Sequence, residues 1–252
     1  MVITRYRITA PKKMKAAVVA DLHGKPTEAL YRELKDEKPD VILVPGDLCT
    51  IGEYDDKDDR LVDPDRREKR LRTQNGALEF LREAVKIAPT FMSRGNHEWG
   101  IDDVYREEVK STGAVLIENE WAEYSPGVFI GGQNSARCGA KYKDGKLITE
   151  DKKEPDIEWL KQSTPDGWRV LLCHHPEYYD IVEPYADLIL SGHSHGSQII
   201  LFGRGLFAPG QGWFPKYTKG QYGKMIVSAG LTNTTWVPRI NNPTELVIIE
   251  AE

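Results

Sequence analysis

The sequence predicts an α/β fold with a mixed sheet or two packed sheets, and three observations lead there. Short, nearly continuous apolar runs alternate with helix-period segments through most of the chain. Toward the C-terminus the helices stop and strands follow one another across turns. The 252 residues, 40% hydrophobic and 29% charged, suffice for one large domain with a sizeable core. Residues 1–252 are therefore read as a single domain without internal repeats.

In chain order, KAAVVA (15–20), VILVP (41–45), TFMSR (90–94), AVLIEN (114–119), GVFIGG (127–132), RVLLC (169–173) and DLILS (187–191) read as strands. They lack apolar–polar alternation, as expected when both faces of a sheet are covered. Between them, TEALYRELKDE (27–37) sets Leu30, Tyr31 and Leu34 on one helical face, with Thr27 suited to cap its start. ALEFLREAVKIA (77–88) does the same with Leu78, Leu81 and Val85. SQIILFG, KMIVSAG and TELVIIEAE then read as strands without intervening helices, which is why the sheet is expected to be mixed. The charge-dense EYDDKDDRLVDPDRREKRLR (53–72) reads as an exposed insertion running into a helix.

Composition excludes several classes. A formal charge of −5 does not suit a general nucleic-acid binder, which needs a basic excess for phosphate contacts. No apolar run approaches the roughly 18 residues of a spanning helix, and MVITRYRITAPKKMK lacks the apolar centre of a signal peptide. A cytoplasmic protein without a transmembrane segment is expected; membrane association is the alternative if the native protein carries an N-terminal anchor. Cys49, Cys138 and Cys173 are odd in number and fit no zinc-binding spacing, so a reducing compartment is expected. Cys49 and Cys173 are read as buried small side chains.

The six histidines, His23, His97, His174, His175, His193 and His195, all lie at or just past the end of a predicted strand, beside Asp, Asn, Gly or Pro. In open α/β sheets the loops at the carboxyl ends of strands converge on one crevice. VADLHG supplies Asp21 and His23, and LILSGHSHG supplies His193 and His195; each pair is spaced i, i+2, so an extended backbone would point both side chains the same way. VPGDLC adds Asp47, SRGNHEWG adds Asn96 and His97, and LLCHHPEYY adds His174. Carboxylate, imidazole and amide oxygen without thiolate suit first-row metals such as Mn, Fe, Zn, Co or Ni better than calcium or structural zinc. Asp47 has two oxygens that can bridge two cations, so a two-metal site is expected.

The ordered blocks Asp21-Leu22-His23, Gly46-Asp47, Gly95-Asn96-His97-Glu98, His174-His175-Pro176 and Gly192-His193-Ser194-His195 carry a resemblance. The series D-x-H, G-D, G-N-H-E, H-x-P and G-H-x-H resembles the calcineurin-like metallophosphoesterases. The resemblance implies a four-layer αββα sandwich, with two mixed β-sheets flanked by helices. It also implies that Asp21, His23, Asp47 and His195 hold one metal and that Asp47, Asn96, His174 and His193 hold the second, with Asp47 bridging. His175 matches a variable position and is expected not to be a ligand. The implied cofactors are two divalent or trivalent transition-metal ions, Mn, Fe or Zn. The implied reaction is in-line attack of a metal-bridging hydroxide on a phosphate mono- or diester, or a pyrophosphate, of a small molecule or lipid-linked substrate. His97 is the expected catalytic acid toward the leaving oxygen, with Asp21 or Glu98 as its partner. The alternative is a metal-binding scaffold of the same fold without significant catalysis.

TRYRITAP, GSQIILFGRGLFAPGQGWFPKYTKGQY and PRINNPTELVIIE further resemble a bacterial branch related to membrane-anchored phosphoesterases. Two features depart from family patterns. Thr50 stands where purple acid phosphatases have a tyrosine ligand, so a tyrosinate–iron centre is not implied, and the gap from Asp47 to Asn96 is longer than usual. The aromatic loop GRGLFAPGQGWFPKYTKGQYG (203–223) reads either as a rim for an apolar leaving group or as a loop pinned by its own aromatics.

Overall fold

The computed structural model describes residues 1–50, 64–98, 101–135, 141–143, 146–148, 154–201, 204–208, 212–233 and 238–252. In chain order the elements are β1 (Val2–Ile8), β2 (Met14–Val18), α1 (Glu28–Glu37), β3 (Val41–Val44), α2 (Pro64–Ala84), β4 (Thr90–Met92), α3 (Asp103–Ser111), β5 (Val115–Leu116), β6 (Glu120–Ser125) and β7 (Val128–Gln133). There follow β8 (Lys141–Lys143), β9 (Lys146–Ile148), α4 (Glu158–Ser163), β10 (Trp168–Cys173), α5 (Tyr179–Val182), β11 (Leu188–Ser191), β12 (Ile199–Leu201), β13 (Arg204–Ala208), β14 (Gly212–Trp213), β15 (Gly220–Tyr222), β16 (Met225–Val227) and β17 (Glu245–Ala251).

The apolar runs form two six-stranded sheets, ordered β1-β17-β2-β3-β4-β5 and β15-β16-β11-β10-β7-β6. Both are mixed. In the first, β2, β3, β4 and β5 run parallel while β17 is antiparallel to β2. In the second, β7, β10, β11 and β16 run parallel between antiparallel edges β6 and β15. Neighbouring residues of one strand serve opposite cores: Ala16 and Val18 join Leu43, Ile130, Val170 and Leu190 between the sheets, while Ala17 packs with Leu30, Leu34, Phe80 and Leu81 of α1 and α2. Leu171, Ile189 and Val227 face Leu160 of α4 and Val182 of α5 on the far side. The result is the expected helix–sheet–sheet–helix stack, with strands that are apolar throughout because both faces are buried.

α1 begins where its sequence predicted, since the Thr27 side chain accepts a hydrogen bond from the Leu30 N–H at 3.2 Å. The helix expected over 77–88 is longer: α2 starts at Pro64, so the end of the charged stretch belongs to it. Proline at a first helical position, followed by Arg, Glu, Lys and Leu, favours that earlier start. Residues 53–63 of the expected insertion, and Cys138, lie outside the described residues. The apolar-run criterion passes over β1, whose VITRYRI alternates exposed and half-buried positions and is held at a sheet edge by its parallel register with β17. It passes over α3 as well, whose cap is Asp102, accepting from the Tyr105 N–H at 2.8 Å.

The parallel registers fix where the chemistry falls. β2, β3 and β4 deliver their carboxyl-terminal loops to one edge of the first sheet, and β10, β11 and β16 do so for the second. These loops meet.

Candidate metal centre

Asp21 and His23 follow β2, Asp47 follows β3, Asn96 and His97 follow β4, His174 follows β10, and His193 and His195 follow β11. Potential donor atoms of Asp21, His23 and His195 lie within 4.8 Å of one another, as do those of Asp47, His174 and His193. A third such group, His23, Asp47 and His97, links the two. Asp21, His23, Asp47, His174, His193 and His195 are all buried, whereas the His97 side chain is 32% exposed.

The backbone that gathers these side chains is not the extended one the i, i+2 spacing suggested. Asp21, His23, Asp47, His193 and His195 have φ values of 52°, 48°, 53°, 66° and 48°, in the left-handed region. Each strand thus ends in a turn that aims alternate residues into the crevice. Non-glycine residues enter this region at a cost, and such strain gathers where the surrounding structure over-determines it. Glycines make room for the carboxylates. A Cβ on Gly95 would stand 2.2 Å from Asp47 Oδ1, and one on Gly192 would stand 2.6 Å from Asp21 Oδ2.

Asp21 Oδ2, His23 Nε2, Asn96 Oδ1 and His174 Nε2 are buried donor-set atoms without a hydrogen-bond partner. Buried polar atoms are rarely left so, because desolvation is costly. His174 Nδ1 lies 3.0 Å from the Pro45 carbonyl, which can only accept, and its Nε2 lies 3.1 Å from Asp47 Oδ2. Once a cation displaces the Nε2 proton, two acceptors would face each other there. Two ligands each about 2.1 Å from one cation, at an angle of about 90°, stand roughly 3 Å apart, which is the spacing such a pair needs. Burial disfavours a charged His174, yet Asp47, Asp21 and Glu98 outweigh it and push the ring up to about 9. The field of the pocket calls for positive charge at that point. For Asp47, burial opposes ionisation, but His174, His97 and His23 hold the carboxyl well below its usual range. Burial drives His23 the other way, well below the usual imidazole value, as suits a neutral ligand. The donor set and its orphaned atoms therefore fit metal ions.

Several groups around the crevice were not visible in the sequence. Thr50 Oγ1 lies 3.1 Å from His23 Nδ1, and the Thr50 backbone is itself clasped by Thr73 of α2 through N–H and carbonyl contacts of 3.2 and 3.0 Å. Glu98 is wholly buried and accepts the backbone N–H groups of Asp47, Cys49 and Gly95 at 2.8 to 2.9 Å. It ties the loops after β3 and β4 together. The groups next to His97 belong to Asp47, whose Oδ1 accepts the His97 N–H at 2.9 Å and whose Oδ2 lies 3.9 Å from His97 Nε2. Burial and the Asp47 charge push Glu98 up to about 7, against the backbone N–H groups that favour its ionised form. Arg239 Nη2 stands 3.3 Å from His195 Nδ1. A guanidinium only donates, so ligation through His195 Nε2 requires that contact to loosen as the ring proton moves to Nδ1.

His175 sits beside the cluster, its Nε2 2.6 Å from Ser135 Oγ and its ring centroid 4.0 Å from that of His193. Its donors, with those of Glu177 and His193, form a further group within 4.8 Å. Cys49 and Cys173 are buried free thiols. In the aromatic loop, Tyr217 is buried against Tyr179 and Tyr222, while Trp213 and Phe214 point outward.

A layered sandwich with buried His and Asp donors at its strand ends is the frame of a metallophosphoesterase. The chain belongs to the calcineurin-like phosphoesterase family, whose sequence model matches residues 14–197. It is 24% identical to an uncharacterized metallophosphoesterase of Aquifex aeolicus, over 98% of this chain and 90% of that protein. It is 27% identical to one of Campylobacter jejuni, over 94% of this chain and 59% of that protein. A transmembrane protein with a metallophosphoesterase domain from Bos taurus is 25% identical over 74% of this chain and 41% of its own length. Among solved structures, the sulfate thiohydrolase SoxB of Thermus thermophilus shares the fold, with a TM-score of 0.50 and 12% identity over 94% of this chain and 56% of that one. The coarse activity follows from family and site together: a hydrolase acting on phosphate esters. Among the described residues, no helix is long and apolar enough to cross a membrane.

Proposed function

We propose that the chain is a dinuclear metal-dependent phosphoesterase that hydrolyses phosphate mono- or diesters, pyrophosphates included. Asp21, His23, Asp47 and His195 would hold one ion, and Asp47, Asn96, His174 and His193 would hold the other. The observation that carries this reading is the pair of buried groups, Asp21 with His23 and His195 and Asp47 with His174 and His193, each drawn from both sheets and each with its donor atoms within 4.8 Å of one another. Two transition-metal ions, Mn, Fe or Zn, supply the concentrated positive charge that a transferring phosphoryl group needs and make water nucleophilic near neutral pH.

The chain's own residues do the rest. Asp47 Oδ2 lies within 4 Å of His23, His97 and His174, a position from which one carboxylate serves both ions. Pro45 and Thr50 fix the faces of His174 and His23 that meet the ions. His97, open to solvent and T-shaped against the His23 ring at 4.8 Å, is placed to protonate or steady the departing oxygen. A lipid-linked substrate and a small phosphate ester present the same phosphoryl centre to these residues.

The test is hydrolysis of chromogenic mono- and diesters by protein stripped of metal and reloaded with manganese, iron or zinc. Turnover that appears only on reloading supports the reading. A reloaded protein that holds two ions per chain and hydrolyses neither ester contradicts it.

A further inference from the structure

We propose that the chain docks on anionic lipid bilayers through the face formed around β12–β14 and the Trp213–Phe214 tip. Charge is segregated along the chain. The protein carries 39 acidic residues, yet none lies between Asp187 and Glu245, a stretch that contains Arg204, Lys216, Lys219, Lys224 and Arg239. A chain of net charge −5 thus keeps one cationic, acid-free segment.

The same segment carries the most exposed large apolar side chains among the described residues. Trp213 is 71% and Phe214 is 76% exposed, and Leu201 and Ile240 add exposed aliphatic surface. The tip is held, not loose. Phe214 has a φ of 54°, a conformation bulky residues avoid, and its N–H donates to the Leu206 carbonyl at 2.8 Å. The Trp213 ring meets Phe207 edge-on at 5.6 Å. A strained backbone that presents two aromatic rings to water points to something that covers them.

Trp and Phe beside Lys are the side chains that settle at a bilayer interface, apolar body inward and cations at the headgroups. Lys216 pairs with Asp180 at 2.9 Å and Lys224 with half-buried Glu183 at 2.7 Å; the Lys216–Asp180 pair is largely open to solvent, and such a pair is weak enough to exchange for lipid phosphate. Aliphatic Leu201 and Ile240 favour acyl chains over stacked bases as the occupant. The face is wired to the catalytic crevice. Ser194 Oγ donates to the Thr218 carbonyl and Ser197 Oγ to the Phe207 carbonyl, so docking would set the GHSH loop beside the headgroup layer.

Vesicle flotation tests this without recourse to turnover. The full chain should float with phosphatidylcholine vesicles containing phosphatidylglycerol, float less with phosphatidylcholine alone, and be released by salt. Trp213→Ala/Phe214→Ala should lower partitioning about tenfold or more, and Lys216→Glu/Lys219→Glu should remove the preference for anionic lipid, at about fivefold per lysine. Both variants should keep the wild-type melting temperature. His97→Ala should float like wild type, so failure of docking and failure of the phosphoesterase reading are separable. Wild type that does not float, a tip variant that floats unchanged, a tip that instead governs binding to a single-stranded RNA oligomer, or a tip variant that only converts dimers to monomers would each overturn the proposal.

Discussion

Thr50 illustrates how much of the centre rests on residues that hold no ion. Its hydroxyl lies on the far nitrogen of His23, and its backbone is tied to Thr73, so the orientation of one proposed ligand is set from α2. Outer partners of this kind are worth about 10- to 100-fold in metal affinity. Thr50→Val should weaken binding at the first site by that factor in a calorimetric titration, with the fold intact. His97→Ala should keep both ions and lose about 10²-fold in turnover, the usual scale for a general acid. If His97→Ala sheds its metal or retains full activity, its assignment to the leaving group is wrong. Gly95→Ala forces a methyl to within 2.2 Å of Asp47 Oδ1 and should cost the protein its metal under metal analysis.

At this scale the sequence was informative about side chains and silent about backbone. The spacing of Asp21 with His23 anticipated two donors of one group, whereas His193 and His195 fall in separate groups, and neither spacing foretold the left-handed turns that aim them. The Pro45 carbonyl, the three N–H groups on Glu98 and the Arg239 contact are products of tertiary packing, and no spacing encodes them.

Among elements, the parallel pair β10 and β11 is pinned by Asp187, which accepts from the Arg169 N–H, Nε and Nη2 at 2.9, 3.0 and 2.9 Å. Burial alone would raise this carboxyl, but Arg169 outweighs burial and holds it below the usual carboxylate range. A depressed folded-state pKa adds stability above the unfolded value, about 3.9, and loses it as pH falls through the folded value. The melting-temperature gap between wild type and Asp187→Asn should therefore be open at pH 6 and close below about pH 4. Phe80 of α2 is fully buried against the first sheet, and Phe80→Ala should cost about 3–5 kcal/mol in denaturant unfolding. The strands at the centre of each sheet were legible because burial on both faces leaves them apolar. β1, β6 and α3 were not, since edge strands and a half-exposed helix mix polar and apolar residues too evenly for a run to stand out.

For the whole molecule, the crevice lies between two sheets that touch mainly through apolar side chains, and its donors come from both. Ions that bind only the assembled crevice stabilise the sandwich by mass action, about 2.7 kcal/mol at a hundredfold excess over Kd. Chelation should accordingly lower the melting temperature, and Asp47→Ala should abolish that dependence. The αββα layering was legible only through the family resemblance, because periodicity alone left one mixed sheet and two packed sheets equally open. The central claim is that Asp47 joins two ion sites. Anomalous diffraction from crystals soaked in manganese or zinc tests it most directly. Two peaks about 3.5 to 4 Å apart flanking the Asp47 carboxylate are predicted; a single peak, or two that do not share Asp47, would contradict it.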